Sequence, residues 1–283
     1  MCQTNTVTVA PDTDFEWARI TPDKVVVATT NRAWVHRIPA GSSDPFAQQM
    51  AVSGSVATTQ KLLDGAIAFA RATVSFNQRP PALTRARWVW QLAGSYYLTH
   101  FTPQLMEEAG ERFVSAGRER LAQWAAQKVK EERGHDQLAL LDIQSLGYKA
   151  EALVETLVPP AAVALVNFFT QSVQTPDPIE CVGYGYTMER LVMGIGEEFI
   201  QMVETLLPAG TNATRCLHVH SRVGSDLEHT KETVEMVAGL TPEERARVAA
   251  ACYETALLCF SPPKQGYISE VELQRLLKPF ESP

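Results

Sequence analysis

Apolar residues follow two different patterns along the chain. Over residues 1–50 they come in short runs rich in β-branched and aromatic side chains, at 7–9, 17–20, 25–30 and 33–38, with Thr21-Pro22-Asp23 and Asn31-Arg32 between the later ones. Runs of that length between turn residues predict strands. A strand-bearing arm of this size cannot bury a core alone, so it is expected to pack on the rest of the chain or on a second subunit.

From about residue 52 the apolar spacing becomes helical. Leu62, Leu63, Ala66, Ile67, Phe69 and Ala70 form one stripe, which Arg79-Pro80-Pro81 ends. A second helix is predicted over 83–106, with the aromatic row from Trp88 to Phe101 as core or as the wall of a cavity. The third runs from Glu111 through Glu132 and His135 to its stop at Gly147. Residues 151–174 read as a short helix, a break at Pro159-Pro160, and an apolar helix over 161–173. A fifth spans 178–207 and places Glu189 among Tyr186, Met188, Leu191 and Val192, where a carboxylate must be paired or coordinating. The sixth holds His218 to His229. The seventh opens at Thr241-Pro242-Glu243-Glu244, a capping box with proline at the first helical position, and ends near Phe260. Ser269 opens a short amphipathic helix in the tail. The pattern predicts an all-α protein: an arm over 1–50, a bundle of about seven helices over 51–262, and a docking tail over 263–283.

Composition narrows the function without fixing it. With 45% hydrophobic and 20% charged residues the chain is ordinary for a globular protein, and its formal charge of −7 argues against nucleic acid or an anionic membrane as partner. A small molecule is the expected ligand. The five cysteines occur singly, without a Cys-x-x-Cys pair, and read as free thiols. With no signal peptide and no apolar run of membrane length, the expected location is cytoplasmic.

The chemistry concentrates in two stretches. Glu132-Arg-Gly-His135 and His218-Val-His220-Ser-Arg222-Val-Gly224-Ser-Asp226-Leu-Glu-His229 contain four of the six histidines, and Glu132 and Asp226 each precede a histidine by three residues. Residues three apart share a helical face, so each pair can offer one oxygen and one nitrogen to a metal ion, and two facing helices can enclose two ions. Glu189 adds a carboxylate from a third helix. Imidazole and carboxylate without thiolate favour iron or manganese over structural zinc.

In these residues the chain resembles the heme-oxygenase-like diiron oxidases and oxygenases, whose wider superfamily includes thiaminase-II-like and pyrroloquinoline-quinone-synthase-like proteins. The resemblance covers roughly residues 55–260 and implies a heme-oxygenase-like seven-helix bundle enclosing Fe(II), two per chain, with dioxygen as cosubstrate. It also implies Glu132, His135, Glu189, Asp226 and His229 as iron ligands. The family pattern expects a histidine where this chain has Arg222, so one iron would be held more weakly than the other. His220 is the expected substitute, brought inward by a distortion of the helix near Gly224; His218, eight residues before Asp226, is too far along the axis.

The implied reaction is N-oxygenation, or oxidative C–C or C–N cleavage, of a small amino-acid-derived substrate in a biosynthetic pathway. Arg222 and Arg190 lie within one turn of the proposed ligands and are candidates to meet its carboxylate. Expected partners are this substrate, a second copy of the chain in a homodimer, and an external electron donor, with no nucleic acid and no membrane. Two other readings stay open: a metal-free thiaminase-II-like enzyme using Cys216 or Cys181, and a binding protein enclosing its ligand with the aromatic helix from Trp88 to Phe101.

Overall fold

The computed structural model describes residues 15–47, 50, 54–74, 80–221 and 225–282, with nothing described of the side chains at 220, 221 and 225–228. The arm folds as a three-stranded antiparallel sheet, β1 (Phe15–Thr21), β2 (Lys24–Thr29) and β3 (Ala33–Arg37), in the order β1-β2-β3. The predicted strand at 7–9 lies outside the described residues. β1 alternates, burying Glu16, Ala18 and Ile20, while β2 in the middle is buried on both faces from Val25 to Ala28.

The sheet packs on the helical body, against α1 (Val56–Thr73) and α11 (Pro242–Phe260). One carboxylate points into this seam. Glu16 is fully buried, its Oε1 2.5 Å from Arg245 Nε and its Oε2 accepting a 2.9 Å hydrogen bond from Thr59.

Helix α2 (Arg85–Ser115) runs through Pro103, as predicted, and continues about nine residues past the predicted end at 106. It stops at Ala116-Gly117, where Gly117 has φ +70°, the Arg118 N–H bonds Phe113 O and the Gly117 N–H bonds Val114 O. That is a Schellman termination. At 31 residues α2 is about 45 Å long and joins two cores. Trp88, Val89, Leu92 and Ala93 belong to one, with α4 (His135–Ser145), α5 (Ala150–Thr156), α8 (Glu197–Thr205), α9 (Arg215–Ser221) and α12 (Glu270–Leu277). Leu105, Met106, Ala109 and Phe113 belong to the other, with the sheet, α1, α3 (Glu119–Glu132), α6 (Pro160–Val173), α7 (Glu180–Met193), α10 (Ser225–Ala238) and α11. The aromatic row is therefore largely packing: Trp88 is buried with its indole N–H on Ala213 O, and Tyr97 meets Phe101 edge to face.

Against about seven predicted body helices, α1 to α12 are present among the described residues, and glycines interrupt two of the predicted segments. The helix expected to carry both Glu132 and His135 divides at Gly134, whose φ of +87° suits glycine and strains any L side chain. The helix expected over 178–207 divides between α7 and α8, at Gly194-Ile195-Gly196. The segment from His218 to His229 falls in α9 and α10; residues 222–224, with Arg222, Gly224 and the expected distortion, lie outside the described residues. The Thr241 capping box forms as predicted, with Glu244 N–H on Thr241 Oγ1 and Thr241 N–H on Glu244 Oε2. Ser269 caps α12, and Arg87 on α2 meets Glu270 at its start, 3.6 Å away. Among the described residues no single helix is long and apolar enough to cross a membrane.

The crossing of α7 and α11 depends on Gly183. A methyl group there would lie 2.4 Å from Val248 O and 2.7 Å from Ala251 Cβ, closer than two helices can tolerate without separating. Gly183→Ala should lower stability by about 1–3 kcal/mol, read by urea denaturation; a change below about 0.5 kcal/mol would show that the crossing relaxes easily.

Candidate functional site

The site lies where the two cores meet. Glu132 is the last residue of α3 and His135 the first of α4, so the left-handed glycine between them turns the chain from one core to the other. Across that corner His135 Nδ1 is 3.0 Å from Glu132 Oε2, and both side chains are about four-fifths buried. The predicted proximity is present, although a chain break rather than a continuous helical face creates it.

Next to this pair is a second set of charges that the sequence did not single out. Lys128, 4% exposed, places its ammonium 2.6 Å from Glu131 Oε2 on its own helix and 2.5 Å from Glu189 Oε1 on α7. Glu131 Oε1 faces His229 Nε2 on α10 at 3.1 Å and accepts 2.9 Å from Gln127. Glu189 Oε2 is buried and has no hydrogen-bond partner among the described residues. Lys128, Glu131 and Glu132 lie within one turn of α3, which was the available signal, but Lys-Val-Lys-Glu-Glu-Arg reads as a solvated charge run.

Burial raises the Glu189 pKa, and Glu131 and Glu132 push in the same direction against the lowering effect of Lys128. For Lys128, burial opposes the charge, but Glu189 and Glu131 together outweigh it and hold the ammonium above the ordinary lysine value. Tyr184 stacks on Phe169 with ring centres 4.2 Å apart and is buried; burial, then Cys259 and Glu132, raises its phenol.

Two contacts fix α10 against the rest. The Trp124 indole on α3 donates to Thr233 Oγ1 at 3.0 Å, and Thr233 Oγ1 donates to His229 O. On the other side, Thr230 Oγ1 donates to Met193 Sδ on α7 at 3.2 Å. Helix α9 is anchored by Asp142, which is fully buried and accepts the Arg215 and Cys216 backbone N–H groups and the Arg215 side chain.

The other predicted residues divide. His218 is half-exposed and 3.3 Å from Glu204, on the surface. Arg190 follows Glu189 but donates from two of its guanidinium nitrogens, Nε and Nη2, to Asp64, at 2.9 and 3.0 Å, and Tyr186 donates to the same carboxylate at 2.8 Å. The side chains of His220 and Asp226, and all of Arg222, lie outside the described residues. Cys181 and Cys216 are buried, and burial pushes both thiols far above their ordinary value, so neither is activated as a nucleophile.

The donor set suits a divalent ion in kind: carboxylates from Glu132 and Glu189, an imidazole from His135, and a buried Glu189 oxygen without a hydrogen-bond partner among the described residues. It is not preassembled, since among the described residues no three His, Cys, Asp or Glu side chains are arranged to hold a metal. A second ion is less well provided for, because Lys128 takes the other Glu189 oxygen and His229 faces Glu131.

No protein-family model matches the chain, and no curated protein matches it by sequence. Solved structures do. A domain of unknown function with a heme oxygenase-like fold, from Shewanella denitrificans, aligns over 79% of this chain and 89% of its own, at 20% identity and a TM-score of 0.55. A TenA homologue from Pseudomonas syringae pv. tomato aligns over 75% of this chain and 96% of its own, at 14% identity and a TM-score of 0.51. Both likenesses are in fold.

Proposed function

From a heme-oxygenase-like fold with an acidic, histidine-bearing site between its two cores, we propose that this protein is a non-heme iron, dioxygen-dependent oxidase or oxygenase acting on a small amino-acid-derived molecule. The observation that carries the reading is the buried Glu189 oxygen, without a hydrogen-bond partner among the described residues, near the Glu132–His135 pair. A carboxylate oxygen without donor or cation is costly in the interior, and an ion there removes the cost.

Glu132, His135 and Glu189 would hold the ion, with Asp226 and His229 as the proposed ligands on α10. Bound iron would supply the electrons and open positions through which dioxygen reacts. The chain's own part is structural. Gly134 sets the corner that pairs Glu132 with His135, Trp124 and Thr233 hold α10 in place, and the enclosed Tyr184–Phe169 stack keeps water from this side of the site. Arg190 is committed to Asp64, which leaves Arg222 as the proposed contact for a substrate carboxylate.

Lys128 favours a second reading. Its ammonium already links Glu131 to Glu189, so the cluster can also be read as acid–base machinery working without metal, with Glu189 of raised pKa as the proton carrier. Oxygen-electrode assays with the Fe(II)-loaded protein and a panel of amines and amino acids separate the two. The iron reading expects substrate-dependent oxygen uptake that disappears on chelation. Turnover that persists in a chelator, without oxygen uptake, would contradict it and favour the second.

A further inference from the structure

We propose that Lys128 permanently occupies the place of a second cation in this cluster, so that each chain takes one divalent ion and not two. The proposal rests on the reading of the cluster as a metal site.

A lysine is rarely buried unless paired, and Lys128 is paired twice, to carboxylates from two different helices. Its nitrogen lies 2.5 Å from Glu189 Oε1 and 2.6 Å from Glu131 Oε2. A metal bridging the same two oxygens would lie at about 2.0–2.2 Å from each, so ammonium and ion compete for one volume. Glu189 is then divided: Oε1 serves Lys128, and Oε2, buried and without a hydrogen-bond partner among the described residues, is left for an ion. A bridging carboxylate is present, but one of the two cations it bridges belongs to the protein.

The test counts metal in the wild type, Lys128→Gln and Lys128→Arg. Protein is loaded anaerobically with Fe(II), and separately with Mn(II), desalted, and analysed by elemental analysis and by Mn(II) electron paramagnetic resonance. The expected result is one ion per chain for the wild type and for Lys128→Arg, with an uncoupled Mn(II) spectrum. Lys128→Gln should rise to two ions, with a spin-coupled spectrum. Two ions in the wild type overturn the proposal whether or not any variant folds, and leave the iron reading intact. One ion in a folded Lys128→Gln also overturns it. A wild type that binds no ion removes the metal reading itself, and this proposal with it.

Discussion

Replacing Arg245 with methionine is expected to destabilise the protein by about 3–5 kcal/mol, the largest effect of any single substitution away from the site. Arg245 and Glu16 are both fully buried in the seam between the sheet and α11, with Nε 2.5 Å from Oε1. Removing the guanidinium leaves a fully buried carboxylate without its cation, while the Thr59 hydroxyl still donates to Oε2. The cost is mainly that stranded charge and not the value of the pair, so Arg245→Met combined with Glu16→Leu should recover most of the loss. Urea denaturation of the three proteins measures this. Similar instability in the single and double variants would mean that Arg245 acts through packing, or through its bond to Leu240 O, and not through Glu16.

The second large effect is functional. Glu189→Gln keeps shape and an oxygen that can still accept from Lys128, but loses the charge and the free carboxylate oxygen. Stability should change by less than about 1.5 kcal/mol. Affinity for Fe(II) should fall by at least about 100-fold, since even residues that only orient a ligand change metal affinity by ten- to a hundredfold. Anaerobic calorimetric titration beside a urea melt separates the two quantities. If the variant binds iron like the wild type, the ion is held elsewhere.

Local chemistry was the most legible part of this sequence. The capping box at Thr241 and the cap at Ser269 depend on side chains within three residues of each other, and both formed. Helix continuity was less legible, because an apolar stripe continues in register across a tight corner. After the turn at Gly134, Leu146 is buried and Leu138 partly buried while Leu141 is exposed, a difference that the apolar spacing alone does not show. The C-terminal end of α2 was also misplaced: the helix predicted over 83–106 continues to Ser115 and stops at the left-handed Gly117.

Of the residues singled out by type and spacing, Glu132, His135, Glu189 and His229 lie at the junction of the two cores. Lys128 and Glu131 were missed because a run of alternating charge carries no sign of which members face inward. Only the approach of Glu189 from α7 turns that part of α3 toward the interior. Arg190 shows the converse. Being one residue from Glu189 puts it about 100° around the helix, where Asp64 on α1 takes its guanidinium.

The most direct test of the account is anomalous diffraction at the iron edge from crystals of the protein loaded anaerobically with Fe(II). The account predicts one strong peak bounded by Glu132, His135 and Glu189, with Lys128 still between Glu189 and Glu131 and no second peak in its place. Iron only at the surface, or none in crystals grown with saturating Fe(II), would contradict it.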